Sequence, residues 1–150
     1  MKKIIAWSCL IGLMWPGLLW GEGGPIAIIV NQANGVEELS KSELARIYKG
    51  QLEKWPDGQR IFAIDSPANA KIRRRFYGVV LKSKPLKKFF KPGSPLPFRP
   101  MISKSAFGTN KLVARIPNAI GYVYLDQVRE GQKILKIDGA LPGEDGYKIK

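Results

Sequence analysis

The 150-residue chain carries 25 Lys and Arg against 12 Asp and Glu, one Cys and no His, for a formal net charge of +13. With Cys9 inside an N-terminal apolar run, the rest of the chain has no residues for disulfides, thiol nucleophiles, Cys/His zinc sites or histidine-based triads. No motif supports a Ser-Lys or paired-carboxylate enzyme either, so catalytic residues, metal and cofactor are all expected to be absent.

Lys2 and Lys3 precede the apolar run from Ile4 to Trp20, which the small, polar stretch Gly21-Glu22-Gly23-Gly24 follows. That is the layout of a secretory signal peptide, expected over residues 1–21, with an exported, periplasmic domain over 22–150. The alternative is a membrane-spanning anchor, which needs about 20 apolar residues; Pro16-Gly17 near the end of the run favours cleavage. What remains suffices for one domain with a modest core.

Ile26 to Asn31 is a short continuous apolar run that predicts a buried strand. Ser40 and Glu43 then form a capping box, with Leu39 placed to staple onto Leu44 across the first turn. The helix they start carries Leu44, Ile47 and Tyr48 on one face and should stop at Gly50. Pro56-Asp57-Gly58 predicts a turn, and Arg60 to Asp65 a second buried strand. The next stretch, "IDSPANAKIRRRF", leads into a helix whose Ile72, Phe76, Val79 and Val80 recur at helical spacing as a core-facing stripe. Arg73, Arg74 and Arg75 then fan around its other sides, so at most one or two of them can serve a site at the helix start.

Residues 83–101 hold five of the eleven prolines, interleaved with Lys87-Lys88-Phe89-Phe90-Lys91 and Phe98-Arg99, and read as an irregular or extended segment. Its basic and aromatic residues suit a membrane surface or stacked bases, or a loop that packs its Phe residues inward. A third helix is expected over Thr109 to Ile116, with Leu112, Val113 and Ile116 buried. Strands should follow over Ala119 to Leu125 and Ile134 to Asp138, ahead of a turn-rich stretch from Gly139 to Gly146. Strands alternating with helices predict an α/β domain with a mixed, mainly parallel sheet flanked by helices. From Ser66 to Leu125 there is no Asp or Glu, while thirteen Lys and Arg fall there. This one-signed block attracts anions, or is a generic basic surface that keeps a secreted protein soluble.

The ordered segments "LSKSELARIYKGQLEKWPDGQRIFAID", "RRRFYGVVL", "IPNAIGYVYLDQV" and "ILKIDGALP" resemble the phosphate-type periplasmic solute-binding proteins of ABC importers, from about Ile26 to Pro142. The resemblance rests on Leu39, Leu44, Ile47, Tyr48, Gly50, Trp55, Pro117, Ala119 to Val123, Leu135, Ile137, Asp138 and Gly139. It implies one lobe of a periplasmic-binding-protein-like fold, where full-length relatives close two lobes on an anion. In those relatives a Gly-Ser-Gly-Thr motif at a strand-to-helix junction holds phosphate oxygens through backbone N–H groups and hydroxyls. Aligned on Phe76, the motif's Ser, Gly and Thr fall on Ala70, Lys71 and Ile72, and an arginine of the family falls on Ser66. A basic residue after the motif is matched by Arg73. Both hydroxyls are replaced, leaving a helix start capped by Ser66 or Asn69, with Lys71 and Arg73 close by.

The anion-binding residues implied are therefore Ser66, Asn69, Ala70, Lys71 and Arg73; the other reading of Ser66-Pro67 is a cap and first-turn proline without a ligand. The implied partners are phosphate or a similar oxyanion and an inner-membrane ABC permease. A second reading keeps the fold as a non-transport module whose basic face contacts an anionic envelope surface or a partner protein. No nucleic acid is expected as a partner.

Overall fold

The computed structural model describes residues 23–94 and 99–150. The expected signal peptide, Cys9 within it, and Phe98 of the proline-rich segment lie outside them.

The apolar run Ile26–Asn31 forms β1, every residue of it buried. Glu38–Leu39 is a two-residue strand, β2, and α1 spans Lys41–Tyr48. The Ser40–Glu43 capping box is present in both directions, and Leu44, Ile47 and Tyr48 are buried. Gly50 closes the helix with φ +71°, a left-handed conformation that glycine adopts without a Cβ penalty. β3 runs over Phe62–Asp65, shorter than expected, and α2 over Lys71–Phe76. A π-helical turn, Tyr77–Leu81, continues α2. β4 (Met101–Ile102), α3 (Ala106–Arg115) and β5 (Ala119–Tyr124) follow. The last predicted strand divides into β6 (Gln132–Ile134) and β7 (Lys136–Ile137).

The main sheet has the order β4-β3-β5-β1-β6, and β2 and β7 pair separately. β3 is parallel to β4 and β5, and β2 to β7, while β1 is antiparallel to β5 and β6. The fold is thus the α/β lobe expected, with mixed sheets covered by helices on both faces: three of the five strand pairings among the described residues are parallel, two of them in the main sheet and one between β2 and β7.

Because strand side chains alternate, β1 supplies both layers. Ile26, Ile28 and Val30 pack with Leu44, Ile47 and Tyr48 of α1 and with Phe76, Val80 and Leu81. Ala27 and Ile29 pack with Val113 of α3 and with Ile64, Ala119 and Val123. Burial on both faces is why β1 and β5 read as continuous apolar runs rather than alternating ones. Gly121 of β5 lets α3 approach closely, since a Cβ there would stand 2.8 Å from Thr109 Cγ2. The chain's end also joins this core: Ile149 is buried and its carbonyl accepts from the Ile26 N–H at 3.0 Å. Among the described residues no helix is long and apolar enough to cross a membrane.

Three expectations need correction. α2 is neither capped by Ser66 nor by Asn69: its N-cap is Ala70, which makes no side-chain hydrogen bond. The π turn adds a residue per turn and shifts the apolar stripe beyond Phe76, so Tyr77 and Leu81 are buried while Val79 is only half-buried; ahead of it Ile72 is half-buried and Arg73 is buried. α3 begins three residues earlier than Thr109, and buries Thr109, Asn110 and Val113 rather than Leu112 and Ile116.

Candidate functional site

β3 ends at Asp65, and its carboxylate organises everything that follows. Asp65 is 2% exposed. A carboxylate so deeply buried is tolerated only when hydrogen-bonded and paired. Its Oδ2 accepts from the Tyr77 hydroxyl at 2.6 Å; its Oδ1 accepts from the Ser66 N–H at 2.8 Å and from the Tyr122 hydroxyl. Arg73 Nη1 lies 3.3 Å from Oδ2. The same guanidinium donates to the carbonyls of Ser66 (2.7 Å) and Pro85 (2.9 Å) and lies over the Tyr77 ring at 4.5 Å. Burial, and then the charge of Asp65, pushes the Tyr77 and Tyr122 hydroxyls well above the ordinary tyrosine range. Tyr122 in turn stacks flat on Phe76, ring centroids 4.0 Å apart, and Tyr48 meets both edge-on. Through the Tyr122 hydroxyl these packed rings are tied to Asp65 and Ser66 at the β3–α2 junction.

Pro67 to Ala70 form a tight turn closed by the Ala70 N–H on the Pro67 carbonyl at 2.9 Å. In the first turn of α2 the N–H groups of Ile72 and Arg73 have no intrahelical acceptor by helix geometry, and Ala70 brings no side-chain oxygen to them. This helix start opens on a cleft of about 200 Å³. Ser66, Ala70 and Lys71 line one side, and the start of α3 the other, through Ser103, Lys104, Ser105 and Thr109. Ser105 caps α3 by accepting from the Gly108 N–H at 3.0 Å, and Thr109 donates to the Ser105 carbonyl at 3.2 Å. Tyr122, Tyr124 and Gln127 also belong to the lining, which contains no carboxylate among the described residues.

The cleft therefore gathers three of the five residues expected from sequence. Asn69 is exposed on the turn beside it. Arg73 points away, into the bonds with Asp65, Ser66 and Pro85, and holds the turn rather than the cleft. Arg75, one of the three arginines expected to fan around the helix, lies 5.5 Å over the ring of Tyr124 at the cleft's edge. The α3 side was missed altogether. Ser105 three residues before Gly108 is an N-cap pattern, but without a Glu or Gln at the third helical position it is weak, and the helix is expected to start only at Thr109. Chemically, two helix starts, two lysines and several hydroxyls favour an anion.

A family model described as a PBP superfamily domain matches residues 23–148. The phosphate-binding protein PstS of Bacillus subtilis (strain 168) is 27% identical over 122 residues, 78% of this chain and 37% of that protein. An ABC-type phosphate transport receptor from Vibrio cholerae superposes with a TM-score of 0.68 at 26% identity, over 79% of this chain and 48% of that one. PstS from Borrelia burgdorferi, 18% identical, superposes at 0.63 over 79% and 49% of the two chains, a likeness of fold alone. The chain thus spans half or less of the length of these relatives.

Proposed function

This chain belongs to the PBP superfamily, and from that premise we propose that it is an extracytoplasmic solute-binding protein whose cleft takes phosphate or a closely related oxyanion. The observation that carries the reading is the convergence of the α2 and α3 starts, with Lys71 and Lys104, on one cleft whose lining among the described residues holds no carboxylate. Each helix start contributes about 0.3–1 kcal/mol toward an anion at an exposed site, and each lysine adds an attraction that salt screens. Ser66, Ala70 and Lys71 would meet the ligand from one side and Ser105 from the other, while Arg73 acts indirectly by holding the turn in place. Asn69 flanks the opening.

The names of the B. subtilis and V. cholerae relatives, a phosphate-binding protein and a phosphate transport receptor, support phosphate as the first ligand to test. They also support delivery to an inner-membrane ABC permease as the role. Export through the signal peptide over residues 1–21, leaving 22–150 as a periplasmic domain, completes the proposal. Calorimetric titration with phosphate, sulfate and a neutral sugar at low salt tests it. Phosphate should release heat that Lys71→Ala and Lys104→Ala each reduce; no heat with either anion would sink the reading.

A further inference from the structure

We infer that a second groove, between the segment 86–93 and the edge strand β4, docks an extended acidic peptide segment of a partner protein. The inference does not rest on the anion reading. The groove has a volume of about 630 Å³, within the range of ligand-binding clefts. Its apolar surface comes from Leu86, Phe89, Phe90 and Ile102, of which Leu86 is 74% and Ile102 47% exposed. Lys87, Lys88, Lys91 and Arg99 also line it. Asp65 is the one carboxylate among the described residues that line the groove, and it is occupied by Tyr77, Tyr122, Arg73 and the Ser66 N–H. The groove is therefore apolar in its walls and one-signed in charge.

β4 adds direction to this surface. It lies at the end of the sheet order and pairs with β3 through Ile64↔Met101 and Asp65↔Ile102, and no strand among the described residues pairs with its other side. An extended peptide can add to such an edge, its main chain bonding to the strand and alternate side chains entering the groove beside it. Apolar side chains would then meet Phe89, Phe90 and Ile102, and carboxylates the four cations. A second copy of this chain is a poor occupant, because a formal net charge of +13 sets like charge against like. A membrane surface is a poor one too, since a concave groove cannot lay its apolar residues against a flat bilayer.

The test uses the full chain and a fluorescein-labelled synthetic peptide alternating glutamate and leucine, followed by anisotropy. Binding should be seen, should weaken steeply with salt, and should fall about tenfold or more in a Lys87→Glu/Lys91→Glu/Arg99→Glu variant. Lys111→Glu/Arg115→Glu on the exposed side of α3 should change it by less than about twofold. A peptide of the same charge with proline at alternate positions, unable to pair as a strand, should bind markedly less well. Circular dichroism of each variant, together with the single change Ile102→Glu, separates loss of the surface from loss of the fold. The inference is overturned if the wild type ignores the peptide, if both charge variants lose affinity equally, or if the proline peptide binds as well. It is also overturned if phosphatidylglycerol vesicles bind while the peptide does not.

Discussion

Removing the Asp65 carboxylate with Asp65→Ala should destabilise the domain more than any other single change at the β3–α2 junction. The side chain is 2% exposed and its partner Arg73 9%, so the variant leaves a guanidinium in the interior with no counter-charge. Breaking a buried pair from one side costs about 3–5 kcal/mol. The Tyr77 and Tyr122 hydroxyls also lose their acceptor, at about 1–3 kcal/mol for each that finds no other partner. A loss of about 4 kcal/mol or more is expected, a large part of a small domain's stability of about 5–15 kcal/mol. Urea denaturation followed by circular dichroism measures it, with Arg73→Ala and the double variant completing a cycle. The double should lose less than the sum of the singles by about 1–3 kcal/mol. A loss under about 1 kcal/mol for Asp65→Ala, or strict additivity, would refute the account of this junction.

Other changes follow from the same geometry. Gly121→Ala would drive a methyl to 2.8 Å from Thr109 Cγ2 and 3.2 Å from Val113 Cγ2; it should cost about 1–3 kcal/mol and weaken phosphate heat by displacing the start of α3. Ser40→Ala should cost about 1 kcal/mol by removing a capping box. The hydrogen bonds from Ser40 hold the Glu43 carboxyl below its ordinary range, so its contribution is complete above the unfolded carboxyl pKa and fades as pH falls through the lowered one. The acid limb of a pH–stability profile should accordingly be shallower in Glu43→Gln. At the other extreme, burial raises Tyr48, Tyr77, Tyr122 and Tyr147. Their stabilisation is complete below the ordinary tyrosine pKa and is lost as pH climbs beyond it, so tyrosinate absorbance should appear together with unfolding rather than before it.

What was legible in the sequence was what is local. The capping box at Ser40–Glu43, the apolar runs of β1 and β5 and the stop at Gly50 each depend on neighbours a few residues away, and each is seen. The strands β2, β4 and β7 have two residues apiece. They exist because a distant strand lies beside them, and no short-range pattern announces that. Arg73 shows the limit most clearly. Helical spacing spreads Arg73, Arg74 and Arg75 over the sides away from the apolar stripe, but Arg73 turns inward because Asp65, eight positions earlier, lies beside it. Family resemblance located the α2 half of the cleft. The α3 half is brought to it by the close packing of Thr109 over Gly121, a tertiary contact that sequence spacing does not reveal.

The central claim is that the starts of α2 and α3 share one anion. Amide chemical shifts during a phosphate titration of the isotopically labelled domain test it most directly. Saturable shifts of one affinity are expected at Lys71 and Ile72 and at Ala106 to Gly108, abolished at both ends by Lys71→Ala/Lys104→Ala. Shifts confined to one helix start, or unsaturated and scattered over the lysines of the basic block, would contradict it.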